Sequence, residues 1–253
     1  MIYTCYEMIR DCRADRAEGW RYFISDYVPV IRKLLAHYEP GADVERLVAA
    51  MRKPDSSLFQ SLQPAPERWF VAELRQTVLA ELPDPPVEVA LDLETVSVAL
   101  EPMTLLEKQA AWMETMGYDA AATGAMLRMA PKTVEKIRER SAELLRGKAD
   151  SWRRTILSEN GRSLGRAAAG SLTNECPPSK VFLDVLDGRT TWRGREAMEP
   201  HVKGCWHCID HFARMAEVVE LIRGIQPLKE AEAEPFRRLL GVAAPKKSFW
   251  KMR

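Results

Sequence analysis

The residues of this chain best suited to chemistry lie in one short run, His201-Val202-Lys203-Gly204-Cys205-Trp206-His207-Cys208, which reads H-x3-C-x2-C. Two thiols spaced in this way at the start of a helix can converge on one point. The helix N-terminus also favours the thiolate that a metal requires. His201, just ahead of that turn, brings a third donor within reach. A tetrahedral site needs a fourth ligand, and Cys176 is the best candidate: its sulfur suits a structural zinc, and a helix expected over residues 179–187 follows it. His207 and His211 compete for the role, although His207 would strain to face the same way as the cysteines that flank it. Two other readings use the same residues. Cys205 and Cys208 could form a redox pair, which ordinarily needs a strand–helix setting that is not visible here, or they could be small buried side chains. With all four ligand positions filled, a zinc here is expected to be structural, since a catalytic zinc keeps one position open for water.

A second constellation spans residues 104–146. Thr104 and Glu107 form a capping-box signature ahead of an amphipathic helix carrying Leu105, Leu106, Ala110 and Met113, and Gly117 ends that helix. Asp119 can cap a short helix running to Leu127. Arg128-Met129-Ala130-Pro131-Lys132 then makes a tight turn, with proline near the first position of a third helix. Val134, Ile137, Ser141 and Leu144 fall on an inward face. Lys132, Lys136 and Arg140 recur every fourth residue on an outward stripe. A short helix, a tight turn and a helix with a basic stripe can set a recognition helix into the major groove. Cations there reach phosphates, and polar side chains near the helix start reach base edges. Lys132, Thr133, Lys136 and Arg140 are therefore the expected DNA-binding residues. An αα-hairpin with a solvated charged side carries the same pattern.

The elements that must position these residues are helical throughout, so the expected fold is all-α. Trp20, Phe23, Tyr27, Val30, Ile31 and Leu34 recur at helical spacing over residues 19–38, with Pro29 expected to kink or end that helix. Asp43 can cap a helix to Met51, and residues 67–82 form another around Trp69, Phe70, Leu74 and Val78. Pro83-Asp84-Pro85-Pro86 breaks the pattern. The expected organisation is a helical domain over 1–82, a linker over 83–102 with a short helix near 91–98, and a helix-turn-helix domain over 103–160. A glycine-containing linker over 161–173 follows, then a small zinc-binding helical module over 174–226 and a tail over 227–253 that frays at Phe249 and Trp250.

Composition narrows the function classes. Hydrophobic residues at 46% and charged residues at 29% suit a soluble chain with real cores, and a net charge of +1 means that nucleic-acid binding must come from local patches. The first residues carry no leader pattern and no apolar run is long enough to span a bilayer, so a cytoplasmic location and no membrane partner are expected. Five cysteines then read as thiols or ligands, with Cys5 and Cys12 as core residues. No glycine-rich phosphate loop, Ser/His/Asp set or paired-carboxylate signature points to an enzyme.

These residues resemble a known family. Leu105 to Leu145, above all Gly117-Tyr118-Asp119 and Thr133-Val134-Glu135-Lys136, are similar to region 4 of extracytoplasmic-function sigma factors. Trp20 to Tyr38, followed by Asp43-Val44-Glu45-Arg46-Leu47-Val48, resemble region 2, where a D-x-E-x-L-V segment binds the RNA polymerase clamp. Residues 68–82 look like the helix that closes region 2. Cys176 to Met215, with His201, Cys205 and Cys208, is similar to zinc-binding anti-sigma domains. The resemblance implies promoter DNA and RNA polymerase core as partners, with zinc as cofactor. It further implies a zinc module regulating the chain in cis, or a sigma-derived interaction module or anti-sigma factor that no longer initiates and binds another sigma factor. Three departures stand out: Ala49-Ala50-Met51-Arg52-Lys53-Pro54-Asp55 lacks the aromatics used to open DNA, Arg128 replaces a glycine in the turn, and Thr123 replaces an aliphatic core residue.

Overall fold

Thr4 starts the first helix, α1 (Cys5–Arg13), with a reciprocal capping box: its hydroxyl accepts the Glu7 N–H, and the Glu7 carboxylate accepts the Thr4 N–H at 2.8 Å. In the computed structural model, residues 3–56, 59–60, 62–82, 92–145 and 160–242 are described. Among them the chain is all-helical, with thirteen α-helices and no strand. None of these helices is long and apolar enough to cross a membrane. The chain divides into two compact units, 1–82 with 221–253, and 83–220.

In the first unit, α2 (Ala17–Tyr38) buries Trp20, Phe23, Ile24, Tyr27, Ile31 and Leu34. Pro29 sits inside α2 without ending it, so of the two expectations, a kink or a boundary, the boundary is not met. A proline removes one helical hydrogen bond, but Val28, Val30 and Ile31 around it are at most 1% exposed, and that packing holds the helix together. Asp43 caps α3 (Val44–Arg52) by accepting the Arg46 N–H at 2.9 Å. Phe70 of α4 (Glu67–Ala80) meets Tyr27 edge-on at 4.7 Å between ring centroids. Cys5 and Cys12 are buried core residues.

The second unit holds α5 (Leu93–Ala99), α6 (Leu105–Thr115), α7 (Ala120–Leu127), α8 (Pro131–Leu144), α9 (Asn160–Gly170), α10 (Ser179–Leu186), α11 (Trp192–Gly204) and most of α12 (Trp206–Arg223). The sequence pattern separates the helix-turn-helix from the Cys/His module. Here they share one core, in which Trp112, Met113 and Ile137 pack with Leu164, Ala168, Trp206, Ile209 and Ala213. The stretch 161–173, expected as a linker, is mostly α9, and its Leu164 and Ala168 are at most 2% exposed. Short helical segments cannot each enclose a core of their own, and pooling them buries more apolar surface per residue.

Residues 227–253, expected as a tail, contain α13 (Glu230–Leu239), which packs on α2 and α3 of the first unit. Phe249 and Trp250 lie outside the described residues.

Candidate metal centre

Cys176 precedes α10, His201 lies in the last turn of α11, and Cys205 and Cys208 flank the start of α12. Their ligand atoms all lie within 4.8 Å of one another, forming a group that can hold a metal ion. Cys176 Sγ stands 3.6 Å from Cys205 Sγ, and His201 Nε2 stands 3.3 Å from Cys208 Sγ. Tetrahedral zinc bonds imply about 3.8 Å between sulfurs and about 3.5 Å between sulfur and nitrogen, so the spacing fits a four-coordinate ion. The sulfurs are too far apart for a disulfide, and all five cysteines are free thiols. The rival histidines turn elsewhere: His207 Nδ1 lies 3.1 Å from the Ala169 carbonyl, and the His211 ring meets Phe182 edge-on at 5.3 Å. Burial, with His207 and Arg214 beside it, lowers the His211 pKa to about 4.

Two partners that sequence reasoning missed complete the surroundings. Glu175 Oε2 lies 3.4 Å from His201 Nδ1, so a carboxylate can orient the imidazole and fix Nε2 as the donor to a metal. Thr173 donates its backbone N–H to Cys176 Sγ at 3.3 Å, with its hydroxyl 3.5 Å away. Partial burial opposes ionisation of Cys176, but the Thr173 hydroxyl and N–H, helped by His201 and Cys205, outweigh it and bring the thiol down to about 6. Cys208 is fully buried, and burial together with Cys205 and Cys176 pushes its thiol up. Crowded sulfurs resist ionising together, and a divalent cation removes that conflict. In metal-free protein at pH 7, Cys176 is therefore the thiol whose surroundings favour ionisation, and iodoacetamide is expected to alkylate it before Cys208 or the core thiols Cys5 and Cys12, whose pKa values burial raises. Peptide mass mapping over time checks this order; Cys12 reacting first would contradict it.

α6, which precedes the α7–turn–α8 pair, grips the segment that carries these four residues. Lys108 of α6 is only 5% exposed, and its ammonium donates to the Lys203 carbonyl at 3.1 Å, between His201 and Cys205 in the chain. A cation on the last carbonyls of α11 satisfies an orphan acceptor and complements the helix dipole. One turn on, the Trp112 indole donates to Asp210 at 3.0 Å, and its ring packs 5.2 Å from that of Trp206. Beyond the end of α6, the Tyr118 hydroxyl donates to Glu217. No protein-family model, no curated protein and no solved structure matches the chain.

The turn between α7 and α8 is tight. A Cβ on Gly124 would lie 2.6 Å from the Met129 carbonyl oxygen, so only glycine allows this approach. Arg128 adopts φ 57°, the left-handed conformation that glycine enters freely. Arg128→Gly is expected to stabilise the unit by about 1 kcal/mol, read as a raised midpoint in urea with an unchanged slope. Thr123 is fully buried, and among the described residues its hydroxyl has no hydrogen-bond partner. Along α8, Lys132, Thr133 and Lys136 are exposed. Arg140 is exposed too, but it is tied to Glu107 at 2.6 Å, the same carboxylate that caps α6 through the Thr104 N–H. The three stripe residues thus differ: Arg140 is held by a neighbouring helix.

Proposed function

We propose that this chain is a transcription regulator of the sigma-factor type. In this reading, zinc bound by Cys176, His201, Cys205 and Cys208 props a helix-turn-helix that reads promoter DNA, while residues 1–82 engage RNA polymerase core. The observation that carries it is the shared core: α6 holds the metal segment through Lys108 and Trp112, while α8 turns Lys132, Thr133 and Lys136 outward. Three thiolates and one imidazole in a four-coordinate arrangement suit zinc above the harder divalent ions, and with every position filled the metal is structural. The fused metal module then regulates in cis, because the metal's binding energy supports the DNA-reading helices directly. Metal analysis of the purified chain, paired with retention on core RNA polymerase, tests this; no zinc and no retention would sink it.

DNA reading has its own test. Lys136→Ala is expected to weaken binding about equally across promoter sequences and to lower the salt slope by about one, whereas Thr133→Ala changes sequence preference. Fluorescence anisotropy over a salt series measures both, and an unaltered slope in Lys136→Ala would remove Lys136 from the interface.

One observation favours a second reading, in which the chain no longer initiates and works as an interaction module or anti-sigma factor. Phe59, the first aromatic after the departing 49–55 stretch, is 8% exposed and stacks on Trp20 at 5.7 Å. A ring spent on the core cannot stack on a flipped base. In vitro transcription with core polymerase separates the two: any promoter-dependent transcript supports initiation, and tight binding to another sigma factor without transcript supports the second reading.

A further inference from the structure

The C-terminal segment meets α2 at a place that proline prepares for it. Pro29 has no N–H, so the Ser25 carbonyl, four residues earlier, lacks its intrahelical donor. The Leu228 N–H supplies the missing bond at 2.8 Å. From there the chain enters α13, whose Ala233 and Phe236 are at most 4% exposed, as is Leu240 just beyond it. Arg32 of α2 lies over the Phe236 ring at 5.0 Å. The charges of α13 are matched inside the helix itself: Arg237 to Glu230 at 2.7 Å and to Glu234 at 2.9 Å, and Arg238 to Glu234 at 2.8 Å. Such a helix can leave its seat with every ion pair intact. What it uncovers is the surface that buries the apolar strip of Ala233, Phe236 and Leu240, the Arg32 guanidinium that lay over the Phe236 ring, and the Ser25 carbonyl. These features recognise the apolar face of another amphipathic helix.

We infer that the α2–α3 surface is a docking site for an amphipathic helix, that α13 occupies it in cis, and that a partner helix must displace α13 to bind. The inference rests on the sigma-type reading for the partner's identity, RNA polymerase core, since α3 opens at the Asp43–Val48 segment that carries the resemblance to a polymerase-binding element. A self-supplied helix at high effective concentration multiplies the competitor's affinity by the fraction of time the seat is empty.

Two full-length variants test it. Phe236→Asp places a carboxylate in the apolar strip. Pro29→Ala returns an N–H to α2 that competes with Leu228 for the Ser25 carbonyl and leaves the strip unchanged. Trypsin cleavage at Arg237 and Arg238 is expected to accelerate roughly tenfold in Phe236→Asp and severalfold in Pro29→Ala, with circular dichroism nearly unchanged. Core polymerase is expected to bind Phe236→Asp roughly fivefold more tightly, and a synthetic peptide of residues 227–242 added in trans reverses the gain. Faster cleavage with unchanged, measurable polymerase affinity overturns the displacement and leaves the sigma-type reading standing. Unfolding of both variants overturns it as well, because α13 is then part of the core. If no form of the chain binds polymerase, the sigma-type reading falls, and the peptide decides alone: saturable binding to the Phe236→Asp chain supports the docking surface, and no binding overturns it.

Discussion

With zinc bound at the Cys176, His201, Cys205 and Cys208 group, as proposed, chelation is expected to melt α6 to α8 together with the helices that carry the four residues. The reason is the position of the ligands within a single core. Cys208 is fully buried, and Trp206 and Ile209 on either side of it pack with Trp112 and Ile137. Structural zinc contributes about 10–16 kcal/mol in small metal-dependent domains at neutral pH, comparable to or larger than the whole stability of an ordinary domain. Removing it leaves three crowded sulfurs, each within contact distance of another ligand atom, with no cation to offset them. Cys208→Ala is expected to reproduce the loss, because it removes one ligand and opens space in the core. Tryptophan fluorescence and promoter binding, followed together during titration with a chelator, give the result. Lost fluorescence with DNA binding intact would show that the two halves of the unit are energetically separate.

Asp210→Ala is expected to be the most damaging change outside the ligands, costing about 3–5 kcal/mol, because it breaks a buried charge pair and leaves the partner unpaired. The Asp210 side chain is 4% exposed and holds Arg214 at 2.7 Å while accepting the Trp112 indole N–H at 3.0 Å. Arg214 in turn donates to the Gly165 carbonyl of α9 at 2.8 Å. One carboxylate therefore joins α6, α9 and α12, and its loss strands an indole N–H and a half-buried guanidinium together. Asp210→Asn keeps an acceptor for the indole and loses only the charge, so its cost is expected to be smaller. Urea unfolding of the three proteins checks the order. An Asp210→Ala chain within about 1 kcal/mol of the parent would show that the pair contributes little here.

The candidate metal group was legible because most of its signal is local: an x2 pair of thiols behind a histidine favours convergence, and Cys176 is the preferred fourth donor over His207 and His211. Glu175 and Thr173 were not, since an exposed acid and a loop threonine acquire roles only once the fold sets them beside His201 and Cys176. Lys108 misleads for a related reason. A lysine on an amphipathic helix reads as solvated, but a long stem can carry its charge to a distant carbonyl, here Lys203. In α9 the glycines at 161, 165 and 170 concealed the Leu164/Ala168 spacing that buries the helix. In α13 the acidic start concealed Ala233, Phe236 and Leu240, which recur at helical intervals. Patterning fixes which face is apolar but not what will cover it, so segment boundaries drawn from sequence separated pieces that share a core.

The tie between Arg140 and Glu107 has a kinetic consequence. It withdraws one cation from the outward face of α8 and leaves the exposed positive charge concentrated in its opening turns, at Lys132 and Lys136. Under the proposed reading, in which α8 contacts a duplex, such a helix is expected to release few counterions and to dissociate quickly. In that reading, residence on a promoter comes from tethering, since a brief contact becomes a lasting one only when a second anchor keeps the helix close enough to rebind before it diffuses away.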